Sequence, residues 1–127
     1  MNEMGVHQMR VIVIVAVIFA ANAARADPFE GFYGNTGVSK MADGEVMTYF
    51  FNPDGSFESH FAGGKVVKGT FRWKDPTTAC FLPTEPAPPP GTKSVCRAYP
   101  VTHHVGDTWT EKANGADVVD SLVAGRQ

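Results

Sequence analysis

His103 and His104 lie side by side, with Asp107 close behind and His60 far upstream. Imidazole and carboxylate are both metal ligands, so these residues are the first candidates for chemistry. Their spacing argues against it. Adjacent residues on a strand point to opposite faces, so His103 and His104 do not converge on one ion. The sequence predicts no metal site and no cofactor, and reads the pair as polar residues at a strand end before Gly106. The acids Glu58, Asp107 and Glu111 sit on short strands with no evident pairing of the glycosidase kind. Ser121, Asp120 and a histidine can be assembled into a triad on paper, as in almost any chain. No G-x-S-x-G elbow, P-loop, H-E-x-x-H or C-x-x-C occurs. The reading is of a non-enzymatic protein with no catalytic residues.

Cys80 and Cys96 are the only two cysteines. Whether they pair depends on the compartment, and the first residues speak to that. Residues 1–10 are polar and end in Arg10, and residues 11–21 (VIVIVAVIFAA) are apolar without interruption. That run is about half the roughly 20 residues a membrane span needs. Ala24-Arg25-Ala26 fits the A-x-A rule of signal peptidase. Residues 1–26 therefore read as a cleaved signal peptide with Asp27 first in the mature chain; the alternative is an uncleaved N-terminal anchor. No cysteine follows the apolar run, so no lipoprotein anchor is expected. The destination is the periplasm of a bacterium or the medium. There an even pair of cysteines reads as a disulfide. The loop it closes is worth roughly 3 kcal/mol in the chain-entropy model.

Residues 27–127 make one small domain by length. Without Glu3, Arg10 and Arg25 the chain keeps twelve acids against nine bases, a net charge of −3. That gives no general attraction to nucleic acid. Lys68, Arg72 and Lys74, with Lys65 nearby, form a local cationic row. It would suit an anionic ligand, or it keeps a strand soluble and discourages edge pairing.

The elements that must position these residues are strands. Residues 47–73 (MTYFFNPDGSFESHFAGGKVVKGTFRW) hold three strand-length apolar runs. Asn52-Pro53-Asp54-Gly55 and Gly63-Gly64 separate them as turns. Residues 35–41 are a weak strand, turned by Asp43-Gly44. In residues 46–51 both faces are apolar, so this strand is central and covered on each side. Residues 56–62 alternate, with Phe57, Ser59 and Phe61 inward. Residues 65–74 alternate most sharply, Val67, Gly69, Phe71 and Trp73 against the cations, with Gly69 marking a bulge or bend. Residues 78–82 and 94–99 are short strands, one cysteine each. Between them residues 83–91 (PTEPAPPPG) form an extended, proline-rich loop. Its Pro83-Thr84-Glu85-Pro86 matches a P-x-x-P ligand, read here as a rigid loop. Residues 101–105, 107–112 and 117–123 complete the set, with Asn114-Gly115 as a hairpin turn. Residues 27–34 hold three aromatics without a period, as a helical turn or a plug at one end of the sheet. The fold class is all-β: a small antiparallel meander of about eight short strands, a closed or partly open barrel, with a sandwich as the alternative.

Phe50, Phe57, Phe61, Phe71, Trp73 and Trp109 are expected to line the barrel interior. A small barrel is either filled by such side chains or holds one small ligand. The order of features resembles a group of small secreted β-domain proteins of alphaproteobacteria. The matching stretches are Gly34-Asn35-Thr36, Asn52 to Phe57 (NPDGSF), Gly69 to Trp73 (GTFRW), Cys80 with Cys96, and Gly106 to Trp109 (GDTW). The resemblance implies a secreted β-domain and brings no catalytic residues. More loosely the chain is similar to lipocalin-like and avidin-like barrels, with their aromatic N-terminal lead-in and G-T-W strand. Phe71 stands where that pattern has Trp, and the chain is shorter than a full lipocalin. The expected function is non-enzymatic binding of a small apolar ligand or an envelope component. The alternative is a structural or interaction protein, or an inhibitor of a secreted enzyme, acting through the proline-rich loop or the cationic strand face.

Overall fold

The computed structural model describes residues 27–127; the signal peptide read over residues 1–26 lies outside the described residues. Eight antiparallel strands form one curled sheet, a half-barrel: β1 (Thr36–Lys40), β2 (Val46–Phe51), β3 (Ser56–His60), β4 (Val66–Asp75), β5 (Thr78–Glu85), β6 (Val95–Ala98), β7 (Thr108–Ala113) and β8 (Ala116–Val123). Their order across the sheet is β6-β5-β4-β3-β2-β1-β8-β7. The barrel is therefore partly open, with β6 and β7 as free edges. The chain crosses from one edge to the other over residues 99–107. No helix among the described residues is long and apolar enough to cross a membrane.

Short turns set the meander. The β1–β2 and β2–β3 turns repeat one solution. Gly44 and Gly55 take φ of 90° and 89°. Asp43 and Asp54 each accept the backbone N–H two residues on, at 2.9 Å. A short acidic side chain and a residue without Cβ are what this left-handed turn position favours. Asn114 and Gly115 both have positive φ, 52° and 82°, the signature of a type I′ hairpin between β7 and β8.

The curl has a visible origin at Gly69. There the β4–β5 register slips by one residue, and Gly69 faces Pro83 while Lys68 faces Glu85. Thr84 is the extra residue of this bulge. The bulge also explains why β5 runs on through Pro83 to Glu85, past the expected end at Leu82. A proline can sit in a strand where the ladder is already broken. Phe57 lies opposite Gly69, and a Cβ at Gly69 would meet its ring at 2.6 Å. Residues 101–105 are the one expected strand that does not form; they belong to the edge-to-edge crossing.

The core sits on the concave face. Phe29, fully buried, precedes a 3₁₀ turn (Glu30–Phe32) that plugs the half-barrel. The Asp27 carboxylate accepts the Phe29 N–H at 2.9 Å and the Tyr33 hydroxyl at 2.5 Å, which holds the turn. The Phe29 ring stacks on Phe51 at 3.9 Å and meets Trp73, Tyr99 and Phe71 at 4.7, 4.8 and 5.2 Å. Each buried Phe contributes about 1.5–3 kcal/mol of burial, and edge-to-face pairs add to it. The convex face has a smaller cover. Residues 124–127 fold back, so that Arg126 lies over the Phe50 ring at 4.5 Å and Thr36 Oγ1 donates to the Gly125 carbonyl at 2.6 Å.

Candidate functional site

Of the six aromatics expected inside, Phe57, Phe71, Trp73 and Trp109 pack against the concave core. Phe50 and Phe61 do not. Phe50 points to the convex face and is buried there, at 5 % exposure, between His60 and Arg126. Phe51, one residue on, takes the inward place. Phe61 is 40 % exposed. It stands past the end of β3, where its N–H donates to the Lys65 carbonyl and closes the turn. The alternation of β3 therefore stops before reaching it.

The space beside Trp73 and Trp109 is occupied. Phe29 and Phe32 fill the centre, and Phe32 reaches Trp109 at 6.2 Å. Where a barrel of this size would carry a ligand, this one carries its own N-terminal plug. A half-open depression of about 250 Å³ lies elsewhere, between the β1–β2 and β3–β4 turns, lined by Met41, Val46, Met47, Phe61 and the charged Glu45 and Lys65.

At the β7–β8 side the concave face turns polar. The β7–β8 register sets Trp109 opposite Asp120 and Glu111 opposite Val118, so Trp109, Glu111 and Asp120 share the inner face. Asp120 is buried, and its Oδ1 accepts the hydroxyl of Ser39 on β1. Its buried Oδ2 has no hydrogen-bond partner among the described residues. Glu111 is itself exposed on the edge strand, on the same sheet face as Asp120 and diagonal to it. Burial of its carboxyl end, then the neighbouring Asp120 carboxyl, push Glu111 up to about 7, against the pull of Arg97. Burial likewise raises the Tyr99 phenol to about 12 and the Tyr49 phenol further. Sequence reasoning missed this pair. The available signal was an acid at an inward position of a strand, Val118-Asp120-Leu122, where alternation asks for an apolar residue.

The histidines keep apart. His103 stacks on Trp109 at 3.5 Å, with planes 6° apart, and its Nδ1 is 3.8 Å from Asp107 Oδ2. Burial holds its imidazole below the usual range. Asp107 is engaged by the backbone, accepting the His104 N–H at 2.8 Å. Among the described residues no cluster of three His, Cys, Asp or Glu side chains is placed to hold a metal.

Cys80 and Cys96 are bonded and directly opposed on β5 and β6, on the convex side beside Arg72. They close the hairpin that presents residues 86–94. Thr92 donates to the Pro89 carbonyl through both its N–H, at 3.2 Å, and its Oγ1, at 2.6 Å. Pro90 and Gly91, with φ of 83° at Gly91, are the central pair of this turn. The loop is thus fixed at base and tip. The cationic row of β4 is exposed, and Lys68 stands between Glu58 and Glu85 across the strands. No family model, curated protein or solved structure matches this chain.

Proposed function

We propose that the protein is an exported, non-enzymatic interaction module that engages an envelope component or a secreted enzyme through the β5–β6 loop and the adjoining outer face of β4. The observation that carries this reading is Phe29, whose ring takes the interior position a ligand would need, which supports recognition at the surface instead. The loop suits the role physically. Its prolines and its disulfide-closed base leave little conformational freedom to lose on binding. Arg72 and Lys74 extend the surface with positive charge for an acidic partner.

The test replaces residues 86–92 with Gly-Gly-Ser. The melting temperature should stay within a few degrees, because the staple and sheet remain, while retention of periplasmic partners by immobilised protein should be lost. Equal retention by the variant removes this reading. Tryptophan fluorescence against a panel of lipid-like and aromatic compounds should stay flat; a saturable response would favour an interior ligand instead.

A second reading, a small apolar or amphipathic ligand, is favoured by the depression lined by Met41, Val46, Met47 and Phe61 with Lys65 at its rim. Anilinonaphthalene sulfonate is a suitable probe. Phe61→Ser and Lys65→Ala should each weaken its binding severalfold, and unchanged binding in both excludes the depression.

A further inference from the structure

We propose that Glu111 and Asp120 share one proton, donated by the Glu111 carboxyl to Asp120 Oδ2, and that this proton latches edge strand β7 onto the sheet. Three observations lead there. Asp120 is 1 % exposed and keeps Oδ2 without a partner while Ser39 serves Oδ1. Glu111 is its diagonal neighbour across the β7–β8 ladder, on the same face, a spacing that long side chains can bridge. β7 has one strand neighbour only, so its inward side chains are its remaining anchors. A carboxylate at Glu111 would face a buried carboxylate at close range and would leave Oδ2 unsatisfied. A carboxyl at Glu111 satisfies it. Solvent lies on the other side of Glu111, so the ionised side chain has somewhere to go.

The groups facing the pair are Tyr49 of β2, Ser39 of β1, Arg97 of β6, Tyr99 after β6, and His103 of the crossing. The tyrosines stay neutral through the neutral range. The Arg97 guanidinium favours the ionised Glu111, but burial and Asp120 outweigh it. His103 acts with the opposite sign, as burial lowers the pKa of its folded imidazole. For Glu111 the folded carboxyl titrates near 7 and the unfolded one near 4.5. The folded chain binds the extra proton between those values. The stabilisation is therefore complete below the unfolded value and is lost as pH rises through about 7. His103 takes stability away as pH falls below its ordinary value.

The test is the melting temperature of the purified protein between pH 5.5 and 8.0. Wild type should melt several degrees lower at the alkaline end. Glu111→Gln should lose more than half of that drop, because its amide donates to Oδ2 at every pH. His103→Phe keeps the stack on Trp109 and should steepen the drop. An equal drop in Glu111→Gln, or a flat profile in His103→Phe, overturns the proposal. Carbon-13 titration of the Glu111 carboxyl in the wild-type protein stands independently of variant folding: a midpoint near 7 is expected, and one near 4.5 overturns the latch. Amide exchange in β7, corrected for its intrinsic pH dependence, should speed up severalfold from pH 5.5 to 8.0; no change would show that the proton does not hold the strand.

Discussion

Phe29 is the most heavily used single side chain in the molecule. It touches rings from β2, β4, β5 and the segment after β6, so it joins strands that the ladder does not join directly. Phe29→Ala should cost about 3–5 kcal/mol, since the surrounding rings cannot all collapse into the void. Chemical denaturation would measure it, and a cost under 1 kcal/mol would show that the plug is dispensable. Gly37 is the reverse case. A Cβ there would meet the Tyr49 ring at 2.3 Å, so Gly37→Ala should destabilise by about 1–3 kcal/mol. The sequence showed the aromatic lead-in but not its seat, because Phe29 belongs to no repeating pattern. Phe50 and Phe51 pose a different difficulty. Both are buried, on opposite faces, and a strand apolar on both sides carries no sign of which face is inner. Asp120 and Glu111 were legible only as separate acids, because a diagonal contact depends on register, which alternation alone does not fix.

At the scale of elements the reading was better. Seven of the observed strands lie within a residue or two of the expected runs, since Asp-Gly, Asn-Gly and Gly-Gly turns mark them off. The eighth, β5, outran its expected end for the reason given above, the bulge at Thr84. The crossing, residues 99–107, looked like a strand because Val101 and Val105 flank polar residues. Both valines are exposed, and the segment serves to carry the chain between edges. The β5–β6 hairpin depends on its staple. Cys80→Ser removes a bridge that spans 16 positions and should cost roughly 3 kcal/mol, lowering the melting temperature by several degrees in oxidising buffer. An unchanged melt would mean that the sheet alone holds the hairpin. Asn114→Ala places a Cβ-bearing residue with no side-chain compensation at positive φ, and should cost about 1–2 kcal/mol.

Taken whole, the molecule is an open half-barrel braced by two straps besides its ladder: the plug on the inside and the C-terminal tail on the outside. Barrel closure was left open by the sequence, and the strand order resolves it, because β6 and β7 have no shared register. The tail shields Phe50 and ties Asn35 and Thr36 to Gly125 and Gln127. Removing residues 125–127 should cost about 2 kcal/mol, the worth of one large apolar side chain returned to water. A melt unchanged on truncation would make the strap incidental.

The pairing of β1 with β8 also governs how the chain reaches this state. Strands β1 to β5 form neighbour by neighbour, at little entropic expense. The β1–β8 pairing sets Thr36 of the first strand opposite Val123 of the last, so a junction inside the finished sheet is the strand contact most distant along the chain. A polypeptide emerging from its N-terminus must hold β1 with one side vacant until the last strand arrives. We expect substitutions in β3 and β4 to slow refolding, and Ser39→Ala, at the β1–β8 contact, chiefly to accelerate unfolding. A slowed refolding limb for Ser39→Ala would place that distant contact in the nucleus instead.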